Sequence, residues 1–153
     1  MTDPTRERLA RRQAELVAAL VGGGAVPEGF DEARVRATEN ALLRKRAGEV
    51  GARWPTLRAQ FGPQWSAAFA AWARDRAPNG SWRDGWDFAR HLAAGGALHP
   101  AAALDLAIAE ATYVYNGMSP PRRRRGPALR RHPGGIVIQI AGRCRWVRAH
   151  SPA

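Results

Sequence analysis

Trp54-Pro55-Thr56-Leu57-Arg58-Ala59-Gln60-Phe61-Gly62-Pro63-Gln64-Trp65-Ser66-Ala67-Ala68-Phe69-Ala70-Ala71-Trp72 is the centre of the stretch, Arg36 to Leu92, whose reading decides the fold. A residue before proline is pushed away from the helical region, so Trp54 ends one helix. Pro55 suits the first turn of the next, a short helix carrying Leu57 and Phe61. Gly62-Pro63 is a second boundary. Beyond it, Trp65, Ala68, Phe69 and Trp72 recur at spacings of three and four, an apolar helical stripe.

The same punctuation continues in both directions. Upstream, Asp31 can cap a helix in which Val35, Leu42, Leu43 and Val50 form a buried side. Arg34, Arg36, Arg44, Lys45 and Arg46 then face outward or partner acids. Thr5 to Val21 places Leu9, Gln13, Leu16, Val17 and Leu20 on one helical face, ended by Gly22-Gly23-Gly24. Downstream, Pro78-Asn79-Gly80 is a turn. Ser81 with Asp84 reads as a capping box for a helix that buries Trp86, Phe88, Ala89 and Leu92. Gly95-Gly96 ends that helix, and His99-Pro100 opens a last one with Leu104, Ile108 and Ala111 at helical spacing.

After Asn116-Gly117 the composition changes. Ser119-Pro120-Pro121, Arg122 to Arg125, Gly126-Pro127 and Pro133-Gly134-Gly135 show no helical period, which predicts a loosely ordered basic linker. Ile136-Val137-Ile138-Gln139-Ile140 is the only strongly β-branched run. With a turn at Ala141-Gly142 and period-two alternation over Arg143 to Arg148, it predicts a β-hairpin. The expected fold is mainly α: a compact multi-helix bundle over residues 1–116, a Pro/Gly/Arg linker over 117–135, and a short C-terminal β-hairpin appendage over 136–153.

A chain of 153 residues with 45% apolar content, six Trp, four Phe and two Tyr can bury a core of its own. It has no run long and apolar enough to span a membrane. Its charged N-terminus lacks the apolar centre of a signal peptide, which predicts a cytoplasmic protein. Net charge is +11, with all 13 acidic residues at or before Glu110. From Gly117 onward there are nine Arg and no Asp or Glu, so the tail calls for an anionic partner: nucleic acid, an acidic protein face or an acidic peptide.

Catalytic constellations are not evident. His91, His99, His132 and His150 are scattered without metal-ligand spacing. Gly22-Gly23-Gly24 follows a helix and lacks the ending of a phosphate loop. Cys144, the single cysteine, has flanking arginines that would lower a thiol pKa, but a small residue tucked against the helices explains it more simply. Asp84 and Asp87, one turn apart, read as a cap plus an ion pair with Arg83 or Arg90. The chain reads as a non-enzyme with no catalytic or metal residue and no cofactor of its own.

In order and spacing, Arg36, Asn40, Trp54-Pro55-x-Leu57, Phe61-Gly62, Trp65, Phe69, Trp72, Pro78-Asn79-Gly80 and Asp84-Gly85-Trp86-Asp87-Phe88-Ala89-Arg90-x-Leu92 resemble the helical domain of the HvfC/MbnC/TglI-type proteins. The match is nearest to a short actinobacterial branch and extends over roughly residues 5 to 115. That family was long labelled DNA-binding and is better understood as partners of multinuclear non-haem iron enzymes that modify cysteine-containing peptides. The resemblance implies an accessory subunit in the maturation of a ribosomally synthesised peptide. It would bind a TIM-barrel iron enzyme of the MbnB/TglH type, which holds the iron, and help present the precursor peptide.

Two groups of residues would carry such a role. Arg36, Asn40, Trp54, Trp82, Asp84 and Trp86 are the candidate partner-binding set, since Trp and Arg are favoured interface anchors. The competing reading is core packing, with Trp82 the exposed anchor beside the cap and Arg36 holding helix-end carbonyls or a buried acid. Ile136, Val137, Ile138, Gln139, Ile140, Arg143, Arg145 and Arg148 are the candidate peptide-binding set, because an open strand edge accepts an extended peptide. Against that, the strand can simply close the domain, and the 37 residues after Asn116 are shorter than the corresponding region of the family. DNA binding by the basic tail, and a scaffold role without peptide contact, are the alternatives.

Overall fold

The computed structural model describes residues 4–148. Among them the chain is mainly α-helical with a minor antiparallel β portion near its C-terminus. The elements are α1 (Pro4–Gly22), α2 (Glu32–Arg53), α3 (Pro55–Phe61), a 3-10 turn (Gly62–Gln64), α4 (Trp65–Ala73), α5 (Ser81–Ala94) and α6 (Pro100–Thr112). The strands β1 (Tyr113–Val114), β2 (Arg122–Arg123), β3 (Ala128–His132), β4 (Gly135–Ile140) and β5 (Arg143–Arg148) follow. The punctuation falls where the sequence puts it: α2 ends at Arg53, just before Trp54, Pro55 opens α3, and Gly62-Pro63 begins the turn before α4. His150 and the last residues of the expected appendage lie outside the described residues.

The chain divides into two compact units. The first comprises residues up to Arg53 together with Phe61–Asp84. Asp31 caps α2 as expected, its Oδ1 accepting from Arg34 N at 3.2 Å. The buried side of α2 is Val35, Glu39, Leu43, Ala47, Val50 and Gly51. Leu42, expected inside, is 43% exposed. Helix α4 packs on this side through Trp65, Phe69 and Ala73. Trp65 Nε1 donates to Ala47 O at 2.8 Å, so the largest side chain at the contact brings its polar atom to a partner. Phe61, Trp65, Phe69 and Trp72 form a ladder of tilted ring contacts 5.6–6.2 Å apart. On α1, Ala19 is buried with Leu16 and Leu20 half-buried beside it, while Leu9 and Val17 are each 57% exposed, so only part of the expected face turns inward.

The second unit comprises Trp54–Gln60 and residues from Gly85 onward. Trp54 and Trp86 meet edge to face at 6.4 Å, and Trp86 meets Tyr115 at 5.0 Å. Gln60 staples the turn after α5, donating to Ala97 O at 2.8 Å and accepting from His99 N at 2.9 Å. The His99 ring caps α6 through Ala101 N. Alanines set the inner side of α6 (Ala102, Ala103, Ala107 and Ala111, with Leu106), while Ile108 is 37% exposed. A helix lined with alanines presents a shallow surface on which a sheet can lie closely.

That sheet has the order β3-β4-β5, antiparallel throughout. The stretch expected to be a linker, 117–135, contributes β2 and β3, so the appendage is three-stranded rather than a hairpin. Arginine-rich composition hid β3 (Ala128-Leu129-Arg130-Arg131-His132), whose alternation is carried by arginine stems as well as by apolar side chains. Ala141-Gly142 is the turn between β4 and β5, with positive φ at both residues (51° and 79°), the arrangement that two-residue hairpins favour.

Candidate functional site

Side-chain burial separates the candidate partner-binding residues into different environments. On α2, Arg36 Nη1 lies 3.1 Å from Glu39 Oε2, and Arg74 Nη1 lies 3.0 Å from Glu39 Oε1. Arg74 also donates to Asn40 Oδ1 at 3.2 Å. Arg36 and Asn40 therefore belong to one cluster, and its centre is Glu39, 1% exposed. Sequence reasoning missed Glu39, although a signal was there. Val35, Glu39, Leu43 and Ala47 recur at four-residue spacing, so an acid occupies a core slot and must be paired.

Asp84 is corrected from the docking set to the interior. It is 2% exposed and accepts from Arg46 Nε at 2.8 Å and Nη2 at 3.0 Å, a bidentate pair. Arg46 also donates to the carbonyls of Arg76 at 2.7 Å and Ala77 at 3.3 Å. One guanidinium thus ties α2 to the turn before α5. Asp84 reaches back to Asn79 N at 3.0 Å rather than completing a capping box with Ser81, because α5 already begins at Ser81. Its ion-pair partner is Arg46, not Arg83 or Arg90.

Trp54 and Trp86 are likewise corrected: they are 4% and 0% exposed and belong to the core of the second unit. The cause lies in α5. Gly85 has no side chain, and the Trp54 indole fills the space where a Cβ would stand. Trp82 remains half-exposed, with the Arg53 guanidinium 5.8 Å from its ring centroid. Of the six residues, Trp82, Arg36 and Asn40 keep access to the surface.

The candidate peptide-binding residues divide by strand alternation. Val137 and Gln139 are buried, 0% and 1% exposed, on the side facing α6, where Val137 packs with Ala107 and Ala111. Gln139 is corrected to a structural residue. With its amide oriented to satisfy both ends, it donates to Gly126 O and accepts from Gly142 N, each at 2.9 Å. Ile136, Ile138 and Ile140 point to the opposite face. All of β5 is exposed, and β5 is an edge strand. Arg143 and Arg145 share the outer face with the isoleucines by register, whereas Arg148 lies on the inner side with its guanidinium 5.1 Å from the Trp146 centroid.

Other polar residues of the second unit serve the fold. Glu110 accepts from Arg90 Nε at 2.8 Å and lies 3.7 Å from Arg130 Nε. Asp87 accepts from Tyr115 Oη at 2.8 Å. His132 accepts from Gly134 N at 3.1 Å, and His91 is exposed on α5. Cys144 is exposed, its sulfur 3.3 Å from Thr112 Oγ1. Among the described residues no group of three or more His, Cys, Asp or Glu is placed to hold a metal ion, and no helix is long and apolar enough to cross a membrane.

The chain thus combines a helical module closed by arginine–carboxylate pairs with a small arginine-rich sheet. The chain belongs to the family described as SCO6045-like, C-terminal domain, which matches residues 10–94, from within α1 to the end of α5. It is also 37% identical over 138 residues to a UPF0276 protein of Streptomyces avermitilis, a match covering 90% of this chain and 28% of that protein. The chain therefore spans less than a third of that relative's length. No solved structure matches it.

Proposed function

We propose that this chain is a non-catalytic accessory module that binds a larger enzyme and helps present that enzyme's peptide substrate. The observation that carries this reading is the Streptomyces relative. There the matching region fills 28% of a longer protein and so works attached to other sequence. A region that accompanies further sequence in a relative supports a partner role for this module. The nature of the partner comes from the resemblance of the Arg36–Leu92 motifs to the HvfC/MbnC/TglI type: a TIM-barrel multinuclear iron enzyme of the MbnB/TglH type, acting in the cytoplasm on a ribosomally made precursor. The iron and the oxidative chemistry belong to that enzyme.

Two features of the sheet support the peptide-presenting part. As an edge strand, β5 offers main-chain groups to an added strand, and Arg143, Arg145 and Arg148 along it favour an acidic segment. The test is co-elution of the full chain with such an enzyme in size-exclusion chromatography, with and without precursor. A stable complex is expected, and failure to associate under both conditions refutes the reading. Exchange of Arg143 and Arg145 for glutamate should then weaken precursor binding while the chain stays folded.

One observation favours a second reading, DNA binding: nine arginines and no carboxylate from Gly117 onward. A preference for one duplex over its scrambled counterpart that persists at high salt would establish it.

A further inference from the structure

The register of the three-stranded sheet defines a face that the sequence did not reveal. Three rows cross it on the side away from α6. Arg131, Ile136 and Val147 form one row; Leu129, Ile138 and Arg145 form the next; Ile140 and Arg143 form the last. The centre is aliphatic, and Leu129, Ile140 and Val147 are 51%, 62% and 53% exposed. Arginines stand at the periphery, exposed and without an ion-pair partner among the described residues. Helix α6 packs on the other side of the sheet.

From this geometry we propose that the outer face of β3-β4-β5 docks an amphipathic, acidic helix of a partner protein. The proposal rests on the accessory reading and supplies its contact surface. Dimensions fit. Ile136 to Ile140 extends about 14 Å along β4, and three strands present a band about 10 Å wide. A helix is about 10 Å in diameter and rises about 11 Å in two turns. Two turns would set three apolar side chains over the isoleucines and flanking carboxylates over Arg131 on one border and Arg143 and Arg145 on the other.

Charge and shape exclude other occupants. A second copy docked through the same face would oppose arginine with arginine. Nucleic acid would meet an aliphatic centre without stacking side chains, since Trp146 lies on the other side by register with the buried Val137. Edge addition of a peptide to β5 uses main-chain groups and leaves the aliphatic centre of this face open, with Arg143 and Arg145 on the border that the two sites share.

The experiment measures fluorescence anisotropy of a labelled synthetic helix with leucines at helical spacing flanked by glutamates. Its lysine-for-glutamate counterpart, a DNA duplex and anionic phospholipid vesicles are measured beside it. The full chain should bind the acidic helix in preference to the other three. Ile140→Thr and Arg145→Glu, both at exposed positions, should each weaken binding about tenfold, as loss of one contact worth about 1.4 kcal/mol would. Arg44→Glu, exposed on α2, should leave it unchanged. Should either outer-face variant lose its sheet by circular dichroism, Arg131→Glu is read in its place. Equal binding of the lysine helix, stronger binding of duplex or vesicles, or indifference to the outer-face substitutions overturns the proposal. If an MbnB/TglH-type enzyme co-elutes equally with wild type and Ile140→Thr/Arg145→Glu, the docking face falls and the accessory reading stands. If no enzyme associates but the acidic helix binds this face, the reverse holds.

Discussion

Gly85→Ala puts two opposing effects in competition, and the structure says which wins. In the interior of a helix, glycine is less favourable than alanine by about 1 kcal/mol, so propensity alone makes this substitution stabilising. Packing reverses the sign. A Cβ built at Gly85 falls 2.8 Å from Trp54 Cγ and closer still to Cδ1 and Nε1. The indole cannot withdraw easily: it is 4% exposed, lies edge-on to the fully buried Trp86, and belongs to a residue whose backbone Pro55 restricts. Overpacking of this kind costs about 1–3 kcal/mol. Driving the tryptophan off its rotamer adds about 1 kcal/mol. Set against the propensity gain, the net expectation is a loss of about 2 kcal/mol, or a fall in Tm of about 4–8 °C for a chain of this size. Thermal unfolding followed by near-ultraviolet circular dichroism of the tryptophans reads both stability and the Trp54 environment. In a Trp54→Leu background, the same Gly85→Ala change should lose its penalty and recover the helix gain. A Tm raised by Gly85→Ala alone would refute the packing argument.

Other substitutions test the remaining structural assignments. Asp84→Ala strands the Arg46 guanidinium in a site where its side chain is 11% exposed, and should cost about 3–5 kcal/mol in urea unfolding; paired replacement of Arg46 and Asp84 by apolar residues should cost less. Gln139→Leu removes a donor to Gly126 O and an acceptor from Gly142 N, leaving two main-chain groups without their partner. A loss of about 1–3 kcal/mol, with faster amide exchange at Gly142, is expected. Ala141→Gly relieves a left-handed alanine at φ 51° and should stabilise by about 0.5–1 kcal/mol, visible as a rise in Tm without change in helix content.

Much of the helical part was legible because its boundaries are local chemistry. Pro55, Gly62-Pro63, Asp31 and Pro78-Asn79-Gly80 act through φ restriction, positive φ and capping, which need no tertiary context. Which face turns inward was less legible. Leu9, Val17, Leu42 and Ile108 are exposed while Ala19, Ala47, Ala107 and Ala111 are buried, because close approach of backbones selects small side chains over large ones. The internal charge pairs were hidden for a related reason. Arg46 and Asp84 are 38 residues apart, and no local period connects them. Glu39 could be found only by asking why an acid stands in a core slot. Strand β3 escaped because a sheet residue on an outer face can be arginine, and composition then reads as linker.

The sheet also changes what the charge of the tail means. As a disordered run, nine arginines would form a polyelectrolyte whose affinity for any anion rises with their number and falls steeply with salt. Folded, they are not equivalent. Arg124 donates to Glu110 O, Arg130 lies beside the Glu110 carboxylate, and Arg148 lies near Trp146 on the inner side. Arg131, Arg143 and Arg145 are held at the border of an aliphatic centre by strand register. Apolar burial there would supply affinity that salt does not screen, while the arginines select the sign and orientation of what lands on it. Selectivity for an acidic amphipathic surface therefore follows from where the register places three arginines, not from the total of nine.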